Sequence, residues 1–381
     1  MIDSIVVKNF KSLKDFEIKK LGSVNLIVGK NNSGKSTVLE SIRILAAKGN
    51  PQIINGIIKD HDDQVLVAQS RMQNGEEDSV QIYEGIFSDR KFPKDGAPIY
   101  IGNKNKNNFV EIKRVYYEES LVEKNDDKGS VSVSRVRKIY DINDLPKVHD
   151  FDQVIQVVTN NTKERPFFLN YNESPYIRNR MFNFPDNIRP IPISYIPTQF
   201  LSMELLANLW DKTVLTDYFN NVRNFLKVIS DDLEDVAFIK VNNKSSRTGI
   251  VKLKGLDKPI PLNSMGDGVL RILQLVLGIL PASQGILLID EFENGLHYSV
   301  QKKVWELIFR LAEELNIQVF ATTHSWDCIE AFTCSAKDST LDSILCRIGN
   351  SISKDDYGKT ISTIIEKDSL SELTQSEVEL R

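Results

Sequence analysis

Residues 29–37 read Gly-Lys-Asn-Asn-Ser-Gly-Lys-Ser-Thr, and their types and spacing suit the holding of a polyphosphate. Gly29 and Gly34 let the backbone turn tightly and approach a phosphate closely. The N–H groups of Lys30, Asn31, Asn32 and Ser33 then point inward as an anion nest. Lys35 carries a positive charge to the β- and γ-phosphates, and the hydroxyl of Ser36, followed by Thr37, suits Mg2+. A flexible Gly/Asn surface loop is the alternative. Far downstream, Asp290-Glu291 ends the apolar run Gly285–Ile289. Asp290 at a strand end can hold Mg2+ through its water shell, and Glu291 stands where an attacking water would sit, as a candidate general base. Alone this pair could be a solvated acidic turn; paired with the loop it completes a hydrolytic apparatus.

Two further groups join them. Asn263-Ser264-Met265-Gly266-Asp267-Gly268 precedes an apolar helix over 269–280. A Ser/Gly-rich turn at a helix N-terminus also binds phosphate. One nucleotide rarely needs two cradles from one chain. Ser264, Gly266 and Gly268 are therefore expected to serve a nucleotide held by another copy, the alternative being a plain cap with Asp267 in the first turn. His324 lies just past the apolar run 317–323. It falls on the ligand side of a sheet that already holds a phosphate loop, placed to contact a γ-phosphate.

These groups need a scaffold. Val24–Val28 reads as a buried strand entering the loop, and Val38, Leu39, Ile42 and Leu45 give helical spacing after it. Residues 1–20 alternate and suggest two short strands joined at Lys11-Ser12, a pair fitting an α/β nucleotide-binding lobe. Residues 46–78 are mixed and polar. Apolar runs over 80–87, 109–117, 131–140 and 151–158, with turn-rich stretches at 102–108 and 124–129, predict an antiparallel β-subdomain. The Lys/Asn stretch at 104–108 reads as a solvated hairpin tip, or as a contact to a phosphate backbone.

Residues 160–190 interleave Arg165, Arg178, Arg180 and Arg189 with Phe167, Phe168, Tyr171, Tyr176, Phe182 and Phe184. This is a long connection packing its aromatics, or a grip on single-stranded nucleic acid. A returning strand over 191–197, helices within 199–236, short β-runs over 237–262 and a strand pair near 344–348 and 360–365 follow. The expected segments are 1–60, the first part of an ATPase core; 61–190, a β-rich subdomain with a long connection; 191–262, helices and strands returning to the core; 263–350, its second part; and 351–381, a strand and polar tail.

Composition sets bounds. The chain has 381 residues, 41% hydrophobic and 26% charged, as in ordinary globular proteins. A net charge of −4 excludes a uniformly basic nucleic-acid coat but leaves room for a local basic groove. Cys328, Cys334 and Cys346 show neither metal-ligand spacing nor a disulfide framework. The expectation is reduced thiols in a cytoplasmic protein with no membrane segment and no signal peptide.

Four stretches together carry a family likeness: VKNFKSLKDFEI before GKNNSGKST, the turn NSMGDG, the block LLIDEFENGLHYSVQ, and ATTHSWDCIEAF. The chain resembles ABC-type ATPases of the RecF/SMC/Rad50 and OLD-like group, and most of all the stand-alone AAA15-type ATPases of bacterial anti-phage defence operons. The resemblance spans 1–45 and about 190–335. It implies an α/β, ABC-type P-loop ATPase with a mixed or parallel core sheet, an antiparallel β-subdomain and a helical insertion. It also implies ATP and Mg2+, and homodimers or larger homo-oligomers that sandwich ATP head to tail.

Carried over, Gly29–Thr37 is the Walker A loop and Asp290-Glu291 the Walker B pair. Ser264, Gly266 and Gly268 form the signature turn acting on a partner's nucleotide. Asn294, Gly295 and Leu296 lie in the D-loop, His324 is the switch histidine and Gln199 the Q-loop residue. The signature turn departs from the transporter form, since Asp267 interrupts the glycines and no Gln follows. Long coiled coils are missing, and no Toprim metal site is visible, so the resemblance implies that any nuclease or toxin is a separate effector. A RecF-like DNA-binding repair ATPase and a scaffold with structural ATP remain the alternatives.

Overall fold

The computed structural model describes residues 1–61, 80–125, 131–146, 151–162, 166–169, 184–185, 188–229, 232–240, 247–351, 353 and 357–370. Sixteen strands are described: β1 Ile5–Phe10, β2 Leu13–Ile18, β3 Val24–Val28, β4 Ile99–Gly102, β5 Phe109–Asn125, β6 Val131–Tyr140, β7 Asp152–Thr159, β8 Phe167–Leu169, β9 Ile193–Ile196, β10 Leu233–Lys240, β11 Arg247–Leu253, β12 Ile260–Pro261, β13 Ile286–Ile289, β14 Gln318–Thr323, β15 Ser343–Asn350 and β16 Thr360–Glu366. The α-helices are α1 Lys35–Ala46, α2 Pro51–Asp60, α3 Met203–Thr213, α4 Phe219–Ile229, α5 Asp267–Ile279, α6 Tyr298–Glu314 and α7 Trp326–Asp338.

The chain forms two compact units: Met1–Ser4, Ile18–Leu39 and Ile191–Arg381 make one, Ile5–Glu17 and Glu40–Pro190 the other. In the first, a six-stranded sheet runs β16-β15-β3-β14-β13-β9. Its strands are parallel except β16, which is antiparallel to β15. β3, β13 and β14 are buried at every residue, which explains why they read as mostly apolar runs rather than alternating ones: parallel strands covered on both faces have no solvent side. Register sets Val28 opposite Thr323 and Ile289 opposite Ala321. The C-terminal ends of β3, β14 and β13 therefore lie side by side, and the residues that follow them share one edge of the sheet.

Helix α5 is buried from Val269 to Ile279 around its whole circumference, as a helix inside a core must be. Two of its buried side chains, Arg271 and Gln274, are polar. On the same core, Phe292 stacks on Trp305 of α6 with ring centroids 4.1 Å apart, and Trp305 meets Phe332 of α7 edge-on at 5.0 Å. A three-stranded antiparallel sheet β10-β11-β12 belongs to the same unit.

The other unit holds a seven-stranded sheet, β2-β1-β4-β5-β7-β8 with β6 on β5. The hairpin β1–β2 joins this sheet rather than the parallel one, with Val6 opposite Gly102. The run 80–87, read as a strand, is instead a 3-10 helix over Gln81–Ile86. Its buried residues Ile82, Tyr83 and Ile86 have helical spacing, and Tyr83 Oη donates to Asn55 on α2. The polar-looking stretch 46–78 contains α2, which buries Ile54, Ile57 and Ile58; Asn50 caps it and Pro51 opens it. In this unit Glu40, 5% exposed, pairs with Lys11 Nζ at 2.7 Å, and its Oε1 lies 2.5 Å from His61 Nε2. Of the expected 160–190 connection, Arg165, Tyr171, Tyr176, Arg178, Arg180 and Phe182 lie outside the described residues, as do the tip 126–129 and the tail beyond 370. Among the described residues, no helix is long and apolar enough to cross a membrane.

Gln318 is the buried tether of β14. Its Nε2 donates to the carbonyls of Ile2 (2.7 Å) and Gly22 (2.9 Å), and its Oε1 accepts from the N–H of Ile2 (2.8 Å). Gln318→Ala takes the side-chain partner from the Ile2 N–H and carbonyl, while the Gly22 carbonyl still accepts from Asn25 Nδ2, and is expected to lower stability by about 3 kcal/mol, read as a drop in the urea midpoint.

Candidate nucleotide site

The loop after β3 is shaped by close approach. A Cβ on Gly29 would lie 2.4 Å from the Ile348 carbonyl oxygen and 2.8 Å from Ser33 Oγ, so no side chain fits there. Gly34 takes φ +95°, in the left-handed region glycine favours, just before α1 begins. The Ser33 N–H donates to Lys30 O at 3.2 Å and the Val38 N–H to Gly34 O at 3.0 Å, closing the loop onto the first turn of the helix. Lys30, Asn31, Asn32 and Ser36 are exposed and Thr37 is half-buried. Ser33 Oγ is buried with no partner, a hydroxyl inside the loop that suits a phosphate oxygen. Lys35 folds back, its Nζ donating to the carbonyls of Gly29 and Lys30, both at 2.9 Å. Burial lowers its pKa, opposed by the nearby carboxylates of Glu291, Asp290 and Glu293.

The end of β13 meets this loop through one carboxylate. Asp290, 6% exposed, accepts at Oδ1 from Thr322 Oγ1 (2.6 Å) and from Ser36 Oγ (3.1 Å). Thr322 Oγ1 in turn accepts from the Glu291 N–H at 2.8 Å. Glu291 has φ +47°, a left-handed backbone that a non-glycine residue adopts at a cost of about 1–3 kcal/mol. That conformation is held from both sides: Thr322 takes the N–H, and the carbonyl accepts from Arg271 Nη2 at 2.8 Å and from the Asn294 N–H at 3.0 Å. The result is a carboxylate aimed by strain, about a third exposed.

His324 follows β14. Its backbone N–H donates to Glu293 Oε1 at 2.9 Å, and its Nδ1 lies 3.1 Å from the same oxygen and 4.0 Å from Glu291 Oε1. The structure thus gathers Lys35, Ser36, Asp290, Glu291 and His324 along one edge of the sheet. The arrangement can hold a phosphate chain, seat a divalent cation between Ser36 and Asp290, and present a base and an imidazole to the terminal phosphate.

The turn 264–268 stands with a different neighbour. Leu262–Met265 is a 3-10 turn, Gly266 is the N-cap of α5, and no side chain caps it. Ser264, Gly266 and Asp267 are exposed. A Cβ on Gly268 would lie 3.3 Å from the Gly295 carbonyl, so Asn294, Gly295 and Leu296 flank the turn. Gln199 is exposed, and its carbonyl accepts from Gln274 Nε2 at 3.3 Å.

Four side chains that hold the site together escape a motif reading. Arg271 donates to the carbonyls of Pro197 (2.6 Å), Asp290 (2.8 Å) and Glu291 (2.8 Å). Burial lowers its pKa to about 10, against the pull of Asp290, Glu293 and Glu291. Gln274 accepts from the Leu201 N–H at 3.3 Å and donates to the Gln199 carbonyl. Thr322 and Glu293 complete the set. Arg271 and Gln274 did carry a signal, since a charged and an amide side chain inside an otherwise apolar helix must have buried partners. Thr322 and Glu293 carried none.

Thr322→Val keeps shape and removes the hydroxyl that joins Asp290 to the Glu291 N–H. The expected outcome is a fall in kcat for ATP of about tenfold to a hundredfold, with an unchanged circular dichroism spectrum.

The chain is similar to several known proteins. An "ATP/GTP phosphatase" of Helicobacter pylori is 23% identical over 338 residues, 87% of each chain. An uncharacterized protein of Methanocaldococcus jannaschii is 43% identical over 49 residues, 13% of this chain and 22% of the relative. Among solved structures, an Smc head bound to the C-winged helix domain of ScpA aligns over 97% of this chain and 99% of its own, at 14% identity and a TM-score of 0.48. Residues 1–329 match the AAA_15 family, described as an AAA ATPase domain, and the chain belongs to that family of ATPases.

Proposed function

We propose that the chain binds and hydrolyses ATP between head-to-tail copies of itself, and that the nucleotide state controls a separate effector. One observation carries the shared site. The signature turn Ser264–Gly268 offers an exposed helix N-terminus with no cap of its own, beside the 294–296 segment. The P-loop's own partners are the Asp290 carboxylate and the neighbouring acidic residues. A bare helix N-terminus favours an anion, and the γ-phosphate on another copy's P-loop supplies one.

Each residue has a step. Lys35 is held at the loop mouth and exchanges its two carbonyl partners for phosphate oxygens. Ser36 Oγ and Asp290 Oδ1, two hard oxygen donors 3.1 Å apart, fit Mg2+. When bound, the metal neutralises charge on the β- and γ-phosphates. Glu291 takes the proton of the attacking water, and His324 contacts the γ-phosphate. Gln199 senses closure through the backbone that Gln274 holds. Loss of the γ-phosphate removes what both copies grip, and the pair opens, because ATP favours the closed form only by its differential affinity. The resemblance to ATPases of anti-phage defence operons supports a cytoplasmic role in which opening and closing gate a nuclease or toxin carried by another chain.

Complementation tests the shared site. Lys35→Ala and Ser264→Arg are each expected to be inactive alone and to regain ATPase activity when mixed, since a mixed pair keeps one intact P-loop facing one intact turn. Glu291→Gln should hydrolyse roughly a hundredfold slower or worse and shift to a heavier species in light scattering only with Mg-ATP. A mixture as inactive as its parts, together with a mass that ATP does not change, rules the shared site out.

A further inference from the structure

Glu293 is 11% exposed, and its two carboxylate oxygens are treated very differently. Oε1 accepts from the His324 N–H at 2.9 Å and lies 3.1 Å from His324 Nδ1. Oε2 is buried with no partner. A buried carboxylate with a bare oxygen is unfavourable, so an acidic side chain here asks for a reason. The fold supplies none: the local turn is closed by main chain, with the Leu296 N–H donating to the Glu293 carbonyl at 2.9 Å. The one described hydrogen bond of the Glu293 side chain comes from the His324 backbone N–H.

His324 needs that hold. Its ring is 48% exposed, so packing does not fix it. One oxygen that accepts the backbone N–H and stands 3.1 Å from the ring Nδ1 of the same residue limits the ring's rotation relative to its own backbone. It also bears on the proton. A carboxylate has none to offer, so the ring nitrogen that faces it is the one favoured to carry the proton. Nε2 then remains as the nitrogen with no protein partner among the described residues.

We propose that Glu293 is a positioning residue for His324, holding the ring with Nδ1 protonated and leaving Nε2 as the nitrogen that meets the nucleotide. This rests on His324 as the γ-phosphate contact. Glu291, at 4.0 Å from Nδ1, is then the base and Glu293 the anchor. The two glutamates of the Asp290-Glu291-Phe292-Glu293 run divide their labour by which partner each can reach.

The test uses the full chain, labelled with 15N at its four histidines, with His324→Ala to identify the His324 signals. At a pH where the imidazole is neutral, wild type should show His324 with Nδ1 protonated and Nε2 bare. Glu293→Ala should shift that ring to a mixture of the two tautomers and lower kcat about tenfold to a hundredfold, with KM for ATP changed by less than about twofold. Glu293→Gln, whose amide oxygen can still accept the backbone N–H and face Nδ1, should keep the tautomer and most of kcat. Nε2-protonated His324 in wild type overturns the proposal, and so does an Nδ1-protonated ring that is unchanged in Glu293→Ala. Should the Ala variant not fold, the wild-type and Gln spectra decide alone. Full activity in His324→Ala removes the histidine's role while the spectra still judge the anchor.

Discussion

The Asp290 carboxylate is the joint on which the candidate site hangs. It is nearly buried and must be satisfied by hydrogen bonds there. One partner is Thr322, from the neighbouring strand β14; the other is Ser36, from the first turn of α1 after β3. Three elements far apart in sequence are thereby tied at one oxygen. The joint holds only because β3, β14 and β13 are adjacent in the parallel sheet, with their registers ending together. Strand order thus sets the chemistry, as it does wherever open α/β sheets bind ligands at the carboxyl ends of their strands.

Around that joint the backbone is forced. Glu291 sits in a left-handed conformation, clamped by Thr322 on its N–H side and Arg271 on its carbonyl side. Arg271 belongs to α5, the helix whose exposed N-terminus is the 264–268 turn, and it also donates to the Pro197 carbonyl. One buried guanidinium therefore ties α5 to the Asp290-Glu291 pair and to Pro197, while Gln274 of the same helix holds Gln199 and Leu201. A displacement of α5 would be transmitted to the backbone of Glu291.

The site was far more legible in the sequence than its supports. Gly29–Thr37, Asp290-Glu291 and His324 declare themselves because phosphate and water impose residue types at fixed spacing on strand ends. β3, β13 and β14 were readable because burial on both faces leaves few polar positions, Asn25 inside β3 being one that is satisfied by backbone carbonyls. The 3-10 helix at Gln81–Ile86 was misread because a short run of Ile, Tyr and Phe looks like a strand, and only the tertiary partner Asn55 shows which face is buried. Helix α2 was missed although Asn50-Pro51 marks its start, because its apolar face is narrow. Thr322 and Glu293 could not be found by pattern, since a threonine in a strand and a glutamate in an acidic turn become informative only beside Asp290 and His324.

The strand that leads into the phosphate loop also fixes when the protein can work. β3 is read early, at Val24–Val28, yet its two neighbours in the sheet, β14 and β15, come from residues 318–323 and 343–350. Contacts of such long sequence separation form late and slowly. On the ribosome, the Glu40–Pro190 stretch emerges while β3 still has neither neighbour, so the antiparallel unit can fold as the first domain. An incomplete chain carries a phosphate loop with no sheet to hold it and no Asp290 to close it. The loop after β3 therefore reaches its final setting only once residues 286–350 have been made and have joined the sheet.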